Sequence, residues 1–295
     1  MKITKVDEVR ISEHSLVTVT KMNHILEVQH MDKKNDSCHI KKLDSDRYVE
    51  IATGEIKDFR KTENRSQGLN SLRQTFKKLR YLINNNFTGS PNELFLTLTY
   101  KNQTNDHLQV GKDYDAFLRK LKRRYKDVST VDALKVLEPH ATGNYHMHVL
   151  LRFNDLEQAY IPSDELAQIW GLGFVKIQSL KGVDNIGAYL SAYMADLEVP
   201  DDFGGQNMDL EEKLVNGQKK KFIKGGRLVF YPTGVNLYSK TKGIVYPERE
   251  DMYYSEAKKI VGAATPHYKK SLHIADVEKD FSNTITYEQY NLKRR

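Results

Sequence analysis

Residues 133–152 read Ala-Leu-Lys-Val-Leu-Glu-Pro-His-Ala-Thr-Gly-Asn-Tyr-His-Met-His-Val-Leu-Leu-Arg. Two β-rich runs, 133–138 and 145–152, flank a short segment with a glycine near its end, the pattern of a hairpin. A three-residue loop, Ala141-Thr142-Gly143, puts Gly143 at the left-handed position such loops need. His140 then faces Asn144, Pro139 faces Tyr145 and Glu138 faces His146. Side chains alternate faces along a strand, so His146 and His148 project from one side and Met147 from the other. In this register Glu138 shares the histidines' face, within cross-strand reach. A slip of one residue would turn it away.

Outward from the hairpin, the strand 94–100 (Leu-Phe-Leu-Thr-Leu-Thr-Tyr) precedes a helix at 113–126 with Tyr114, Phe117, Leu118 and Leu121 on its apolar side. After the hairpin come a helix at 163–170, with Ser163 as N-cap and Leu166, Ile169 and Trp170 inward, and a strand at 173–179. A helix at 183–197 closes the region, with Ile186, Leu190, Met194 and Leu197 as its apolar set. The order βαββαβ plus a terminal helix is the split-βαβ plan. The expected fold class is α+β: a ferredoxin-like antiparallel sheet with helices on one face and the other face open.

Upstream, Leu69, Leu72, Phe76, Leu79 and Ile83 mark one face of a helix over 66–85. Arg65, Arg73, Lys77, Lys78 and Arg80 lie in and beside it, either as a solvated basic face or as a phosphate-binding one. Residues 1–60 read as short strands, at 15–20, 24–30 and 47–51, with a turn at Met22-Asn23. Pro200 to Gly205 breaks the pattern, an acidic block (209–212) and a basic one (219–227) follow, and the tail mixes helical and turn signals. Three regions are expected: a β-rich segment 1–62, the α+β domain 63–197 and a C-terminal region 198–295.

Lys plus Arg number 46 against 39 Asp plus Glu, a net +7 that suits a polyanionic partner. The single cysteine, Cys38, excludes an intrachain disulfide and a four-cysteine zinc site. No run of about 18 apolar residues exists to span a membrane. The N-terminal run carries charges every few residues, unlike a secretory signal, and a cytosolic protein is expected.

Two imidazoles and one carboxylate on one strand face form a three-ligand set with open positions. Mixed N/O ligation suits Mn²⁺ or Mg²⁺, with Zn²⁺ also compatible. The H-x-H triplet alone is equally what two polar residues on a strand give; the hairpin register is what singles it out. His140 shares the face but lies at the turn, as a solvated or phosphate-facing group. On the helix at 183–197, Tyr189 and Tyr193 lie four apart and so on one face. They are either an aromatic stripe packed in the core or nucleophiles. A hydroxyl that titrates near pH 10 attacks at neutral pH only with a polarised electrophile or a nearby base.

Over residues 94–197 the chain resembles the HUH endonucleases, specifically the rolling-circle replication initiators of bacterial plasmids and phages. Phe95-Leu-Thr-Leu-Thr-Tyr100 is similar to the family's first motif. Glu138-Pro-His-Ala-Thr-Gly-Asn-Tyr-His-Met-His148 is similar to the second. Ala188-Tyr-Leu-Ser-Ala-Tyr-Met194 is similar to the third, in its two-tyrosine form. Residues 227–232 and 239–244 resemble the segment after the core in phage-type initiators.

The resemblance implies an ion on Glu138, His146 and His148. It implies Tyr189 as principal nucleophile and Tyr193 as the second, a 5′-phosphotyrosine link, and a free 3′-OH that primes replication. It also implies single-stranded or hairpin origin DNA on the open sheet face, with Arg73, Lys77, Lys122, Arg123, Lys176 and Lys181 as phosphate contacts. The family's lysine three or four residues after the first tyrosine is replaced here by Ala192 and Tyr193, so its role would fall to Lys176 or Lys181. No phosphate-binding P-loop is present, so a host helicase must act alongside a host DNA polymerase. The implied setting is the bacterial cytoplasm. The competing readings are an HUH relaxase or transposase, and a non-catalytic nucleic-acid-binding module on the same sheet.

Overall fold

A computed structural model describes residues 2–7, 9–34, 38–59, 69–140, 144–188, 190, 197–199, 210–215, 218–223, 230–231, 234–276 and 280–294. Among the described residues no helix is long and apolar enough to cross a membrane. The chain divides into two units, one built from residues 1–63 with 248–295 and the other from 64–247. The expected C-terminal region is therefore shared: 198–247 belong with the central unit, and 248–295 return to the N-terminal strands.

The unit of the two chain ends holds β1 (Lys2–Val6), β2 (Leu16–Met22), β3 (Ile25–Met31), β4 (Ile40–Lys42), β5 (Arg47–Glu50) and β6 (Ile56–Asp58). From the far end come β15 (Arg249–Tyr253), a helix Tyr254–Val261, β16 (Pro266–Asp276) and β17 (Phe281–Asn291). Its main sheet runs β1-β16-β17-β3-β2-β15, and β4-β5-β6 form a separate small sheet. Met22 pairs with Ile25, so the turn is Asn23-His24, one residue later than expected, with Asn23 at φ 54°. Val17, Val19, Leu26, Val28 and Tyr290 pack against Ala257 and Val261 of the helix. The tail is thus a long hairpin with one helix, in place of a mixture of helix and turn signals.

The central unit opens with α1 (Leu69–Asn86). It continues through β7 (Glu93–Leu98), α2 (His107–Tyr125), β8 (Val131–Pro139), β9 (Tyr145–Phe153), α3 (Ser163–Trp170) and β10 (Val175–Ser179). Four further strands follow, β11 (Leu197–Val199), β12 (Leu210–Val215), β13 (Gln218–Ile223) and β14 (Tyr238–Lys240). The sheet order β10-β7-β9-β8-β14 places the βαββαβ strands as fourth, first, third, second, every neighbour antiparallel. That is the ferredoxin-like order, extended by β14 along β8.

Both crossover helices cover one face. Val110, Tyr114, Phe117 and Leu121 of α2 and Leu166 and Trp170 of α3 bury Leu94, Leu96, Met147, Val149 and Leu151. Asp106 starts α2, its Oδ1 accepting the N–H groups of Leu108 (2.9 Å) and Gln109 (3.1 Å). Ser163 is the first helical residue of α3 rather than its cap; Pro162 holds that position, with no side-chain cap.

The second face is not open along its length. Leu79, Leu82 and Ile83 of α1, together with Ile186 and Leu190, pack on Phe95, Leu134, Val136 and Leu150. The expected helix at 183–197 is also shorter. Residues 186–188 and 190 are helical, whereas Leu197 lies in β11 and pairs with Ile223. The acidic and basic blocks meet across a hairpin, with Glu212 opposite Lys221, so the lysines of β13 face carboxylate charge as well as solvent.

Candidate metal centre

The β8–β9 hairpin sets the site. Glu138 is registered with His146 and Pro139 with Tyr145, and the His140 N–H donates to the Asn144 carbonyl at 2.7 Å. The loop residues 141–143 lie outside the described residues. His146, His148 and Glu138 sit on the face opposite α2 and α3, at the end left uncovered by the apolar cluster. Phe95 and Val136, next to His148 on that face, belong to the cluster that holds Ile186 and Leu190.

Glu138 Oε2 lies 3.0 Å from His146 Nε2, and the two Nε2 atoms are 3.2 Å apart. His148 Nε2 also contacts Glu138 Oε2. Glu138 and His146 are buried, and the potential ligand atoms of all three lie within 4.8 Å of one another. Burial opposes the charge on Glu138, but hydrogen bonds from His146 and His148 outweigh it and hold the carboxyl well below the usual carboxylate range.

The flanking residues fix the rings. Thr97, registered opposite His148 on β7, places Oγ1 3.2 Å from His148 Nδ1. With Nδ1–H donating to that oxygen, Nε2 keeps its lone pair. Phe95 stacks on His148 at 5.2 Å between centroids, with planes 16° apart. His140 lies against His146 at 4.2 Å. Among the described residues His146 Nδ1, which is buried, has no hydrogen-bond partner.

Tyr189 and Tyr193 lie outside the described residues. Ile186 and Leu190 pack on the triad's face of the sheet, and Asn185 Oδ1 accepts the N–H of Ala188 at 3.0 Å. Lys176 is opposite Thr97 on β10, exposed, and on the same face as His148. Lys181 is exposed just beyond β10. Lys77 of α1 lies over the Tyr81 ring at 5.3 Å. Lys122 and Arg123 are exposed in the last turn of α2, so the sheet separates them from the triad. The side chain of Arg73 lies outside the described residues. Thr97 and Phe95 were legible as a β-rich run, but their contacts with His148 depend on β7 lying beside β9, which no local pattern reveals.

Residues 93–198 match the family model for the replication-associated protein ORF2, a finding consistent with a replication initiator. A search of curated proteins found no match.

Proposed function

Starting from that likeness to replication-associated proteins, we propose that the chain is a replication initiator that nicks single-stranded origin DNA by metal-dependent transesterification. The observation that carries the reading is the convergence of Glu138, His146 and His148 at the uncovered end of one sheet face. Donors 3.0 and 3.2 Å apart suit neighbouring ligands on one ion with bonds of about 2.1 Å. Glu138, His146 and His148 would hold Mn²⁺ or Mg²⁺, and three donors on one side leave positions for phosphate oxygens. Such an ion would polarise the scissile phosphate and stabilise its developing charge.

Tyr189 is the principal nucleophile. Its hydroxyl oxygen bonds to phosphorus as the bond to the 3′ oxygen breaks; the tyrosine loses its proton and the departing oxygen gains one. The products are a 5′-phosphotyrosine and a 3′-OH that a host polymerase extends behind a host helicase. The ester bond is conserved in number, so the step reverses, and Tyr193 serves the second transfer. Lys176 supplies positive charge to the DNA phosphates on the triad's face, and Lys181 beside it does the same.

The test is incubation with candidate origin single strands and Mn²⁺, followed by a denaturing gel. A covalent protein–DNA adduct is expected, abolished by Tyr189→Phe and retained for the first cleavage by Tyr193→Phe. Metal binding with no adduct on any origin strand would overturn the reading. An adduct that survives Tyr189→Phe and is lost in Tyr193→Phe would reverse the two roles.

A further inference from the structure

The segment leading to Tyr189 is fastened to α1 and to the loop after it, both outside the 93–198 match to replication-associated proteins. Asn84, buried on α1, accepts the N–H of Gly187 on Oδ1 at 2.8 Å, across 103 residues of chain. The approach is close: a Cβ on Gly187 would come 2.5 Å from Asn84 Oδ1 and 2.9 Å from Arg80 Cγ. A second close approach precedes it. Gly89, at φ +79°, would place a Cβ 2.3 Å from the Val183 carbonyl oxygen, and the Gly182 N–H donates to the Gly89 carbonyl at 3.0 Å.

The loop that makes this second contact is itself rigid. Buried Glu93 accepts the N–H groups of Gly89 (2.8 Å), Thr88 (3.0 Å) and Ser90 (3.1 Å). Around the polar contact, Leu79, Leu82 and Ile83 of α1 pack with Ile186 and Leu190 in one apolar cluster. In that cluster Asn84 offers its oxygen to a backbone N–H in the first turn of the helical segment, where no intrahelical acceptor exists.

We propose that Asn84 is a positioning residue for the nucleophile: through Gly187 it fixes the backbone two residues ahead of Tyr189 relative to the sheet that carries Glu138, His146 and His148. The inference rests on the nicking reading for its catalytic consequence. A side chain held through its backbone in this way loses reaction rate when the anchor is released, because in-line attack tolerates little displacement. Binding of metal and DNA, which other residues provide, stays intact.

The experiment uses the full chain with Asn84→Ala and, separately, Gly187→Ala. Single-turnover adduct formation with a cleavable origin strand and Mn²⁺ is expected to fall by about 100-fold in each. Mn²⁺ affinity and DNA affinity are expected within about twofold of the parent protein. Asn84→Asp keeps the accepting oxygen and is expected to recover most of the lost rate. Amide hydrogen exchange gives a readout that needs no cleavage. In Asn84→Ala the amides of residues 186–190 exchange faster, while those of β8 and β9 stay protected.

Adduct rates within twofold of the parent in both substitutions, or unchanged exchange at 186–190, would overturn the inference. So would a rate loss that only follows a loss of metal affinity. If Asn84→Ala does not fold, Gly187→Ala and Asn84→Asp decide it by the same criteria. Failure of the nicking reading shows separately, as absence of adduct in the parent protein.

Discussion

His148 is held on three sides, by the Phe95 ring, by Thr97 at Nδ1 and by Glu138 at Nε2. Removing the Nδ1 partner frees the ring to turn and to change tautomer. Thr97→Val, which keeps the shape and loses the oxygen, is expected to weaken Mn²⁺ binding by about tenfold, and Thr97→Ser to restore it, both measured by titration calorimetry. Equal affinity in the valine variant would mean that Phe95 alone orients the ring. At the other end of the same face Asp132 titrates with a structural role. Burial opposes its charge, but hydrogen bonds from Thr241, Asn154 and Arg152 outweigh this and lower its pKa. A carboxyl with a folded pKa below its unfolded value, about 3.9, adds stability above that pH, and the contribution fades as pH falls through the folded value. Asp132→Asn is therefore expected to lower stability at neutral pH and to flatten the acid limb below about pH 4 in urea unfolding. The pairing of Glu138 with His146 was legible because alternation and a glycine turn are local. The grip of Thr97 on His148 was not, because it needs two strands separated by the whole of α2.

At the scale of elements, the parts that packed apolar faces in strict period were readable, and those held by long-range pairing were not. The α1 face of Leu79 and Ile83 showed in the sequence as a helical stripe, yet nothing local said that it covers the end of the sheet face beside Phe95. Leu197 continued the apolar spacing of a helix, but pairing with Ile223 put it in a strand. β16 carries His, Lys and Ser through its length and buries little besides Ser271, so no period-two signal marked it. α2 begins at His107, earlier than its apolar stripe suggested, because Asp106 caps it. Asp106→Ala is expected to destabilise the central unit by about 1 kcal/mol, read as a lower urea midpoint with an unchanged slope. No change would show that the Thr104–Asp106 turn holds the start of α2 without the carboxylate.

For the molecule as a whole, the net charge of +7 predicts salt-sensitive binding to single-stranded DNA. Lys122 and Arg123, across the sheet from the triad, test whether DNA wraps beyond the site face. Reversing both to Glu is expected to cut the log–log salt slope by about 1.4 if each touches a phosphate, and to leave it unchanged if DNA keeps to the other side. A filter-binding series across ionic strength decides between these. The unit built from both chain ends carries a further expectation: β16 and β17 stand between β1 and β3, so truncation after Thr265 should leave β1 without a neighbour. Such a protein is expected to lose protection from hydrogen exchange in residues 2–31 while residues 93–153 keep theirs. During synthesis the same arrangement imposes an order of events. β1 and the β17-facing edge of β3 emerge first and must wait for partners encoded more than two hundred residues later, while the central unit, contiguous in the chain, assembles in between. Their unpaired backbone is open to wrong partners throughout that interval, which makes the speed of translation and the presence of a holding chaperone determinants of yield.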